Sequence, residues 1–405
     1  MAQESSALPR APGTSTLAVH AGEKGNPLTS LVTPIVQAST FRLEDAAAGA
    51  AAMAAVEPTT FYSRWGNPTV RVTADAIAAL EGAERALLFA SGMGAIHGLL
   101  SALVASGERV VAARSLYSGT TGILTGLHAR NGVAVEFVDA VDLEAMRAAL
   151  SRPARMVLVE TISNPTLEIA DLQEISRLAR DCGALLAVDS TFASPVLCRP
   201  LRVGADLVIH STTKYLGGHS DCTGGAIAGA NTLLEEIWET THLMGACLAP
   251  MEAFLLRRGM RTLELRLSRQ CESALEVATA LASHRAVTQV HYPGLASHPQ
   301  HALACRQFGD RCGGMVSFEV AGGAEAARRV VESSELIQLA VSLGGVESIW
   351  EHPASMSHAT VGADHLEAAG IASGLIRLSV GIEDTPDLLD DLERALAAAG
   401  APSSG

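Results

Sequence analysis

From about residue 67 to 265, short apolar runs alternate with amphipathic stretches of helical period, the pattern of a mostly parallel sheet covered by helices. The runs are Ala86 to Ala90, Arg109 to Ala113, Val133 to Val138, Met156 to Glu160, Leu185 to Asp189 and Leu207 to His210. Each is bounded by Gly, Asp, Ser or Asn, and each has the length of a strand buried on both faces. Residues 1–66 read differently, as an extended arm with a Pro- and Thr-containing lead and an Ala-rich piece, Asp45 to Ala55, that is helical by propensity. Residues 266–405 start with a long helical stretch and pass through strand-like Met315 to Val320 and Leu375 to Val380. They close on a helix, Thr385 to Ala399, which makes a smaller C-terminal α/β domain. No repeat of solenoid period is visible.

Composition narrows the class. With 405 residues, 48% hydrophobic and 18% charged, the chain has the material for a large core and is not a disordered polymer. Apolar residues are interspersed with polar ones, so no transmembrane helix is expected, and Met1 to Gly13 has no apolar run that would make a signal peptide or anchor. A cytoplasmic protein is the expectation. A net charge of −14 without a basic face argues against nucleic-acid binding. Seven cysteines, from Cys182 to Cys312, are odd in number, irregularly spaced and without C-x-x-C, which suits buried thiols in a reducing compartment better than a disulfide frame. No metal site is expected, because neither His298 with His301 nor His219 with Asp221 and Cys222 has zinc-ligand spacing.

Three segments carry chemistry. The strand Leu207 to His210 runs into Ser211, Thr212, Thr213 and Lys214 and then a glycine-rich turn. A lysine there lies at the carboxyl end of a strand, where open α/β sheets bind ligands, with hydroxyls beside it for an anion. A solvated surface lysine is the plain alternative. Upstream, Leu87 to Ala90 opens through Ser91, Gly92, Met93 and Gly94 into an apolar helix whose free N–H groups and dipole suit a phosphate. A simple Gly-rich turn would look the same, but a dinucleotide fingerprint would not, because His97 stands where G-x-G-x-x-G needs its last glycine. Asp189, at the end of its strand, needs either a cationic partner or a role as a helix cap.

The blocks YSRWGNPT (Tyr62 to Thr69), ETISNPT (Glu160 to Thr166), VDSTFASP (Val188 to Pro195), HSTTKYLGGHSD (His210 to Asp221), YPGLASHPQH (Tyr292 to His301), SLGGVES (Ser342 to Ser348) and IRLSVGIE (Ile376 to Glu383) occur in this order. Together they resemble the Cys/Met-metabolism, or transsulfuration, pyridoxal-phosphate enzymes over nearly the whole chain. The resemblance implies the aminotransferase-like fold (fold type I) and pyridoxal 5'-phosphate as cofactor. It implies that residues 67–265 bind the cofactor and that residues 1–66 reach a neighbouring subunit. Lys214 then forms the Schiff base, Asp189 pairs with the pyridine nitrogen, and Ser211, Thr213, Gly92 and Met93 hold the phosphate. Tyr117 stacks on the ring, and Asn164 lies near its 3-oxygen. Tyr62 and Arg64 serve the neighbouring subunit's cofactor, which implies a dimer with shared sites and usually a tetramer. Arg377 grips the substrate's α-carboxylate, helped by Ser342.

The same resemblance divides over the substrate, a small sulfur amino acid or homoserine derivative. Glu347 favours the cystathionine γ-lyases and γ-synthases. Gly122 lacks the arginine those lyases carry, and Gly119 lacks the cysteine of methionine γ-lyases. Trp65 and Ser190 are further departures from the family pattern. Three readings are open: a lyase or transferase at the γ-carbon, with methionine γ-lyase as a variant; an O-acylhomoserine sulfhydrylase; and a non-catalytic pyridoxal-phosphate-binding protein.

Overall fold

The computed structural model describes residues 11–26, 28–357 and 370–400, so most of the polar Met1 to Gly13 lead lies outside the described residues. Among the described residues, twelve strands form two sheets. The larger sheet contains β1 (Arg85–Phe89), β2 (Arg109–Ala113), β3 (Ala134–Val138), β4 (Met156–Glu160), β5 (Leu185–Asp189), β6 (Leu207–Ser211) and β7 (Gly225–Gly229). Their spatial order is β1-β7-β6-β5-β4-β2-β3. Pairings from β3 through β6 are parallel, and β7 alone runs antiparallel, between β1 and β6. Strands β1, β4 and β7 are buried throughout, β1 even though it closes one edge of the sheet, and their apolar runs accordingly show no alternation.

Strand β7 does not stand out in the sequence, because GAIAG has two glycines and one β-branched residue. Its smallness has a cause. A Cβ on Gly225 would lie 2.2 Å from the Ser91 carbonyl oxygen, so only glycine lets β7 pass the turn that follows β1.

The smaller sheet is formed by β8 (Val287–His291), β9 (Met315–Val320), β10 (Gln338–Leu339), β11 (Ile349–Glu351) and β12 (Leu375–Ser379), in the order β10-β11-β12-β9-β8. Arg377 on β12 pairs in register with Glu351 on β11 and Ser317 on β9. It is therefore interior to the sheet, not a charge on an edge strand.

Ahead of the large sheet, α1 (Thr14–His20) docks onto the body. Buried Arg257 donates to the carbonyls of Ala18, Val19 and Ala21 at 2.8–2.9 Å and so satisfies the exposed end of that helix. The Ala-rich piece is α2 (Ala46–Ala54), with Asp45 accepting from the Ala48 N–H at its start. Helix α3 (Pro68–Glu81) begins where sequence rules place it, with Asn67 as cap, Pro68 in the first turn and Gly82 at φ +73° beyond the end. Of the seven cysteines, Cys198, Cys271 and Cys312 are buried, whereas Cys247 and Cys305 are exposed, which corrects the expectation of buried thiols. No described helix is long and apolar enough to cross a membrane.

Candidate active site

Parallel pairing brings the carboxyl ends of β4, β5 and β6 side by side: Glu160 faces Asp189, and Asp189 faces Ile209, two residues before Ser211. The turn after β1 joins them across β7, because Gly225 pairs with both Phe89 and Ser211. The result is a cavity of about 410 Å³ over the sheet edge. Its wall includes Gly92, Met93, Tyr117, Asn164, Asp189, Ser211, Thr213, Lys214, Ser342 and Arg377. Ten residues singled out in the sequence thus converge on one space.

The anion end is built by α4 (Gly92–Leu103). Ser91 Oγ caps the Gly94 N–H at 3.0 Å, while the N–H groups of Gly92 and Met93 belong to the first turn and have no acceptor within the helix. A Cβ on Gly92 would lie 2.9 Å from the Ser211 Cβ, so the missing side chain is what keeps the helix start close to β6. Thr213 Oγ1 is linked to the Gly224 N–H at 3.0 Å.

At the opposite polarity, Asp189 Oδ1 accepts from the Thr191 N–H at 2.9 Å and from Thr191 Oγ1 at 2.5 Å. Thr191 Oγ1 also accepts from the Ser211 N–H at 2.8 Å, tying β5 to β6. Burial pushes the Asp189 carboxyl up, against the Thr191 hydrogen bonds and the charge of His210, which lower it. Such a carboxylate favours a cationic ligand. Beside it Glu160, which the sequence reading passed over, accepts from the Tyr117 N–H at 2.7 Å. Burial, and then the neighbouring Asp189, drive its pKa well above the usual carboxylate range. The available signal was an acid ending an apolar strand, the same feature that singled out Asp189.

Lys214 Nζ donates to Ser342 Oγ at 2.7 Å. Its pKa falls to about 8, first through burial and then through the charge of Arg377, with Glu351 acting in the opposite sense. Ser342 itself sits at φ +94°, a strained conformation for a residue with a Cβ, at the point where it meets both cations. Arg377 donates through Nη2 to Ser342 O at 2.9 Å and through Nη1 to Asn164 Oδ1 at 2.8 Å. It also pairs with Glu351 at 3.1 Å.

Three expected residues lie elsewhere. Tyr62 and Arg64 are outside this cavity, stacked on each other with the guanidinium 5.5 Å from the ring centroid, and Arg64 donates to the His242 carbonyl. Glu347 is outside it too, hydrogen-bonded to Ser220. Trp65 packs edge-on against Phe61 and Trp238. Ser190 is fully buried and does not line the cavity. A Cβ on Gly119 would lie 2.6 Å from the Tyr117 ring, whereas one on Gly122 would meet nothing within 4 Å. No group of three metal-ligating side chains occurs among the described residues.

The family model for Cys/Met metabolism PLP-dependent enzymes matches residues 15–397. The chain belongs to that family. The fit is supported locally by the glycine-walled helix start for a phosphate, the buried Asp189 for a pyridine nitrogen and the amine of Lys214 for an aldehyde. Among its relatives are an L-methionine γ-lyase of Pseudomonas putida, 42% identical over 96% of this chain and 98% of that one, and a cystathionine γ-synthase of Mycobacterium bovis, 43% identical over 95% and 97%. The solved cystathionine γ-synthase of Xanthomonas oryzae pv. oryzae superposes with a TM-score of 0.91 at 40% identity, covering 96% of this chain and 99% of that one. This family member therefore has the fold type I architecture and takes pyridoxal 5'-phosphate as its cofactor.

Proposed function

We propose that the protein cleaves or exchanges the γ-substituent of a sulfur amino acid or homoserine derivative, in the manner of a cystathionine γ-lyase or γ-synthase, with Lys214 as the proton carrier. The observation that carries this reading is a single cavity that joins Lys214, Arg377, Asp189 and the α4 start. Bound there, pyridoxal phosphate supplies an electron sink for the electrons left at the α-carbon.

The chain's own residues do the rest. The N–H groups of Gly92 and Met93, with the Ser211 and Thr213 hydroxyls, hold the phosphate. Asp189, fixed by Thr191, keeps the proton on the pyridine nitrogen. Asn164 spends its Oδ1 on Arg377, which leaves its amide N–H groups to donate to the ring's 3-oxygen. Arg377 presents a planar fork to the α-carboxylate. Lys214 Nζ, once free, takes the α-proton and then moves a β-proton, and its lowered pKa makes that possible near neutrality. The Tyr117 hydroxyl delivers a proton to the departing sulfur or oxygen.

Tyr62 and Arg64, turned away from their own chain's cavity, serve that of a second copy, so the working unit is at least a dimer and the tetramer is its natural extension. We place it in the cytoplasm. Tyr62 then joins Tyr117 in steering the leaving group, and Glu347 recognises a distal polar group from beyond the cavity wall.

One observation favours a methionine-type substrate as a second reading. The wall beyond Lys214 is apolar, with Ile96, Ile162, Phe192, Val341 and Leu343, and this suits a thioether better than a charged head group. Assay of the purified protein with cystathionine, methionine, homocysteine and O-acylhomoserine plus thiol, following α-keto acid and thiol, tests both. Turnover of methionine but not cystathionine selects the second reading, and no turnover of any of them rejects the proposal.

A further inference from the structure

Arg377 would be expected to wait for a substrate carboxylate, yet it already has one. Glu351, in register with it across β11 and β12, sets Oε1 3.1 Å from Nη2. Both side chains are almost wholly buried, at 1% and 5% exposure, and both belong to the cavity wall. The same Oε1 accepts from Ser357 Oγ at 2.6 Å, while Oε2 is buried without a hydrogen-bond partner among the described residues. Ser342 O also accepts from Nη2 and Asn164 Oδ1 from Nη1, while Nε is buried without a hydrogen-bond partner among the described residues.

Two opposite consequences follow from this arrangement. A buried acceptor bridging Nη2 and Ser357 holds the fork in one orientation, which favours binding of any carboxylate. A buried negative charge in contact with the fork repels an arriving carboxylate and cancels much of the attraction of Arg377.

We propose that Glu351 is the positioning residue of the carboxylate subsite and its built-in counter-charge, so that it orients Arg377 while restraining how tightly an amino acid is held. This rests on the reading of Arg377 as the carboxylate ligand. Its functional sense is release: a subsite that holds reactant and product carboxylates equally tightly gains nothing at the reaction step, and a restrained one lets both exchange.

The test separates shape from charge. Glu351→Gln keeps an oxygen for Nη2 and Ser357 and removes the charge. Glu351→Ala removes both, and Glu351→Asp keeps the charge but draws it back by one methylene. The readouts are KM and kcat with the substrate the assay above identifies, and the equilibrium affinity for glycine, which has no leaving group, followed by cofactor absorbance.

Glu351→Gln is expected to bind glycine about tenfold more tightly and to lower KM similarly, whereas Glu351→Ala and Glu351→Asp weaken both by about tenfold, with the effect on KM rather than kcat. Should the glutamine variant fail to fold with an uncompensated arginine, the aspartate variant decides: unchanged glycine affinity there overturns the inference. Gln and Ala shifting in the same direction overturns it too. Arg377→Ala, run in parallel, keeps the two readings apart. Unchanged KM and glycine affinity in that variant remove the carboxylate reading and this inference together. If Arg377→Ala weakens both while Gln and Ala agree in sign, the inference alone fails.

Discussion

At the scale of single residues, the central quantity is the basicity of Lys214. A pKa of about 8 instead of 10.5 leaves half of the amine unprotonated at pH 8, against roughly one part in 300 for an ordinary lysine. Covalent loading of the cofactor-free protein is expected to rise through a midpoint near pH 8, read as near-visible absorbance. Lys214→Ala should lack that band and lose roughly 10³-fold or more in turnover. The same shift has a stability consequence. Because the folded pKa lies below the unfolded one, the unfolded chain binds more protons between about pH 8 and 10.5, so the cofactor-free protein gains stability as pH rises through that window. Urea titrations across it should show the gain in the parent and its loss in Lys214→Met.

At the scale of elements, the cofactor cradle depends on how closely three backbones approach. Gly225→Ala would push β7 against the Ser91 carbonyl, since its Cβ has only 2.2 Å. A cost of roughly 1–3 kcal/mol is expected, visible as a lower urea midpoint, together with faster loss of cofactor on dialysis because the same turn starts α4. This part of the fold also shows what sequence patterning reads well. Arg109–Ala113, Met156–Glu160, Leu185–Asp189 and Met315–Val320 form strands at the bounds their apolar runs predict, because burial on both faces leaves an unbroken signature. Strands β7, β10 and β11 had none. The first is made small by its neighbours, and the other two, of two and three residues, are too short for an alternation to be recognised.

At the scale of the whole molecule, the described part of the first 66 residues is bound to the body at separate points. One is the buried pair of Glu57 and Arg85, 2.7 Å apart, which fastens the segment after α2 to β1. Burial raises the Glu57 pKa and Arg85 opposes that, so the pair stands only while both members are present. Glu57→Ala leaves Arg85 without its buried partner, with an expected loss of about 3–5 kcal/mol in unfolding free energy by denaturant titration. The proposed sharing of sites between copies has its own test. Lys214→Ala and Tyr62→Phe preparations, each weakly active alone, should regain a fraction of parental turnover when unfolded together and refolded. Absence of recovery would place Tyr62 outside the partner's site.

The sequence by itself determined the sheet-and-helix class, the lysine at a strand's carboxyl end, the glycine turn that opens α4, and the family. These are local patterns, and burial or backbone geometry imprints them on neighbouring residues. Only the tertiary structure decided that Glu160 stands beside Asp189, that Glu351 pairs with Nη2 of Arg377, and that Tyr62 and Glu347 lie off the cavity. The physical reason is that a buried charge takes its meaning from its partner. Strand register sets that partner, 29 residues away for the first pair and 26 for the second, and no local pattern records it.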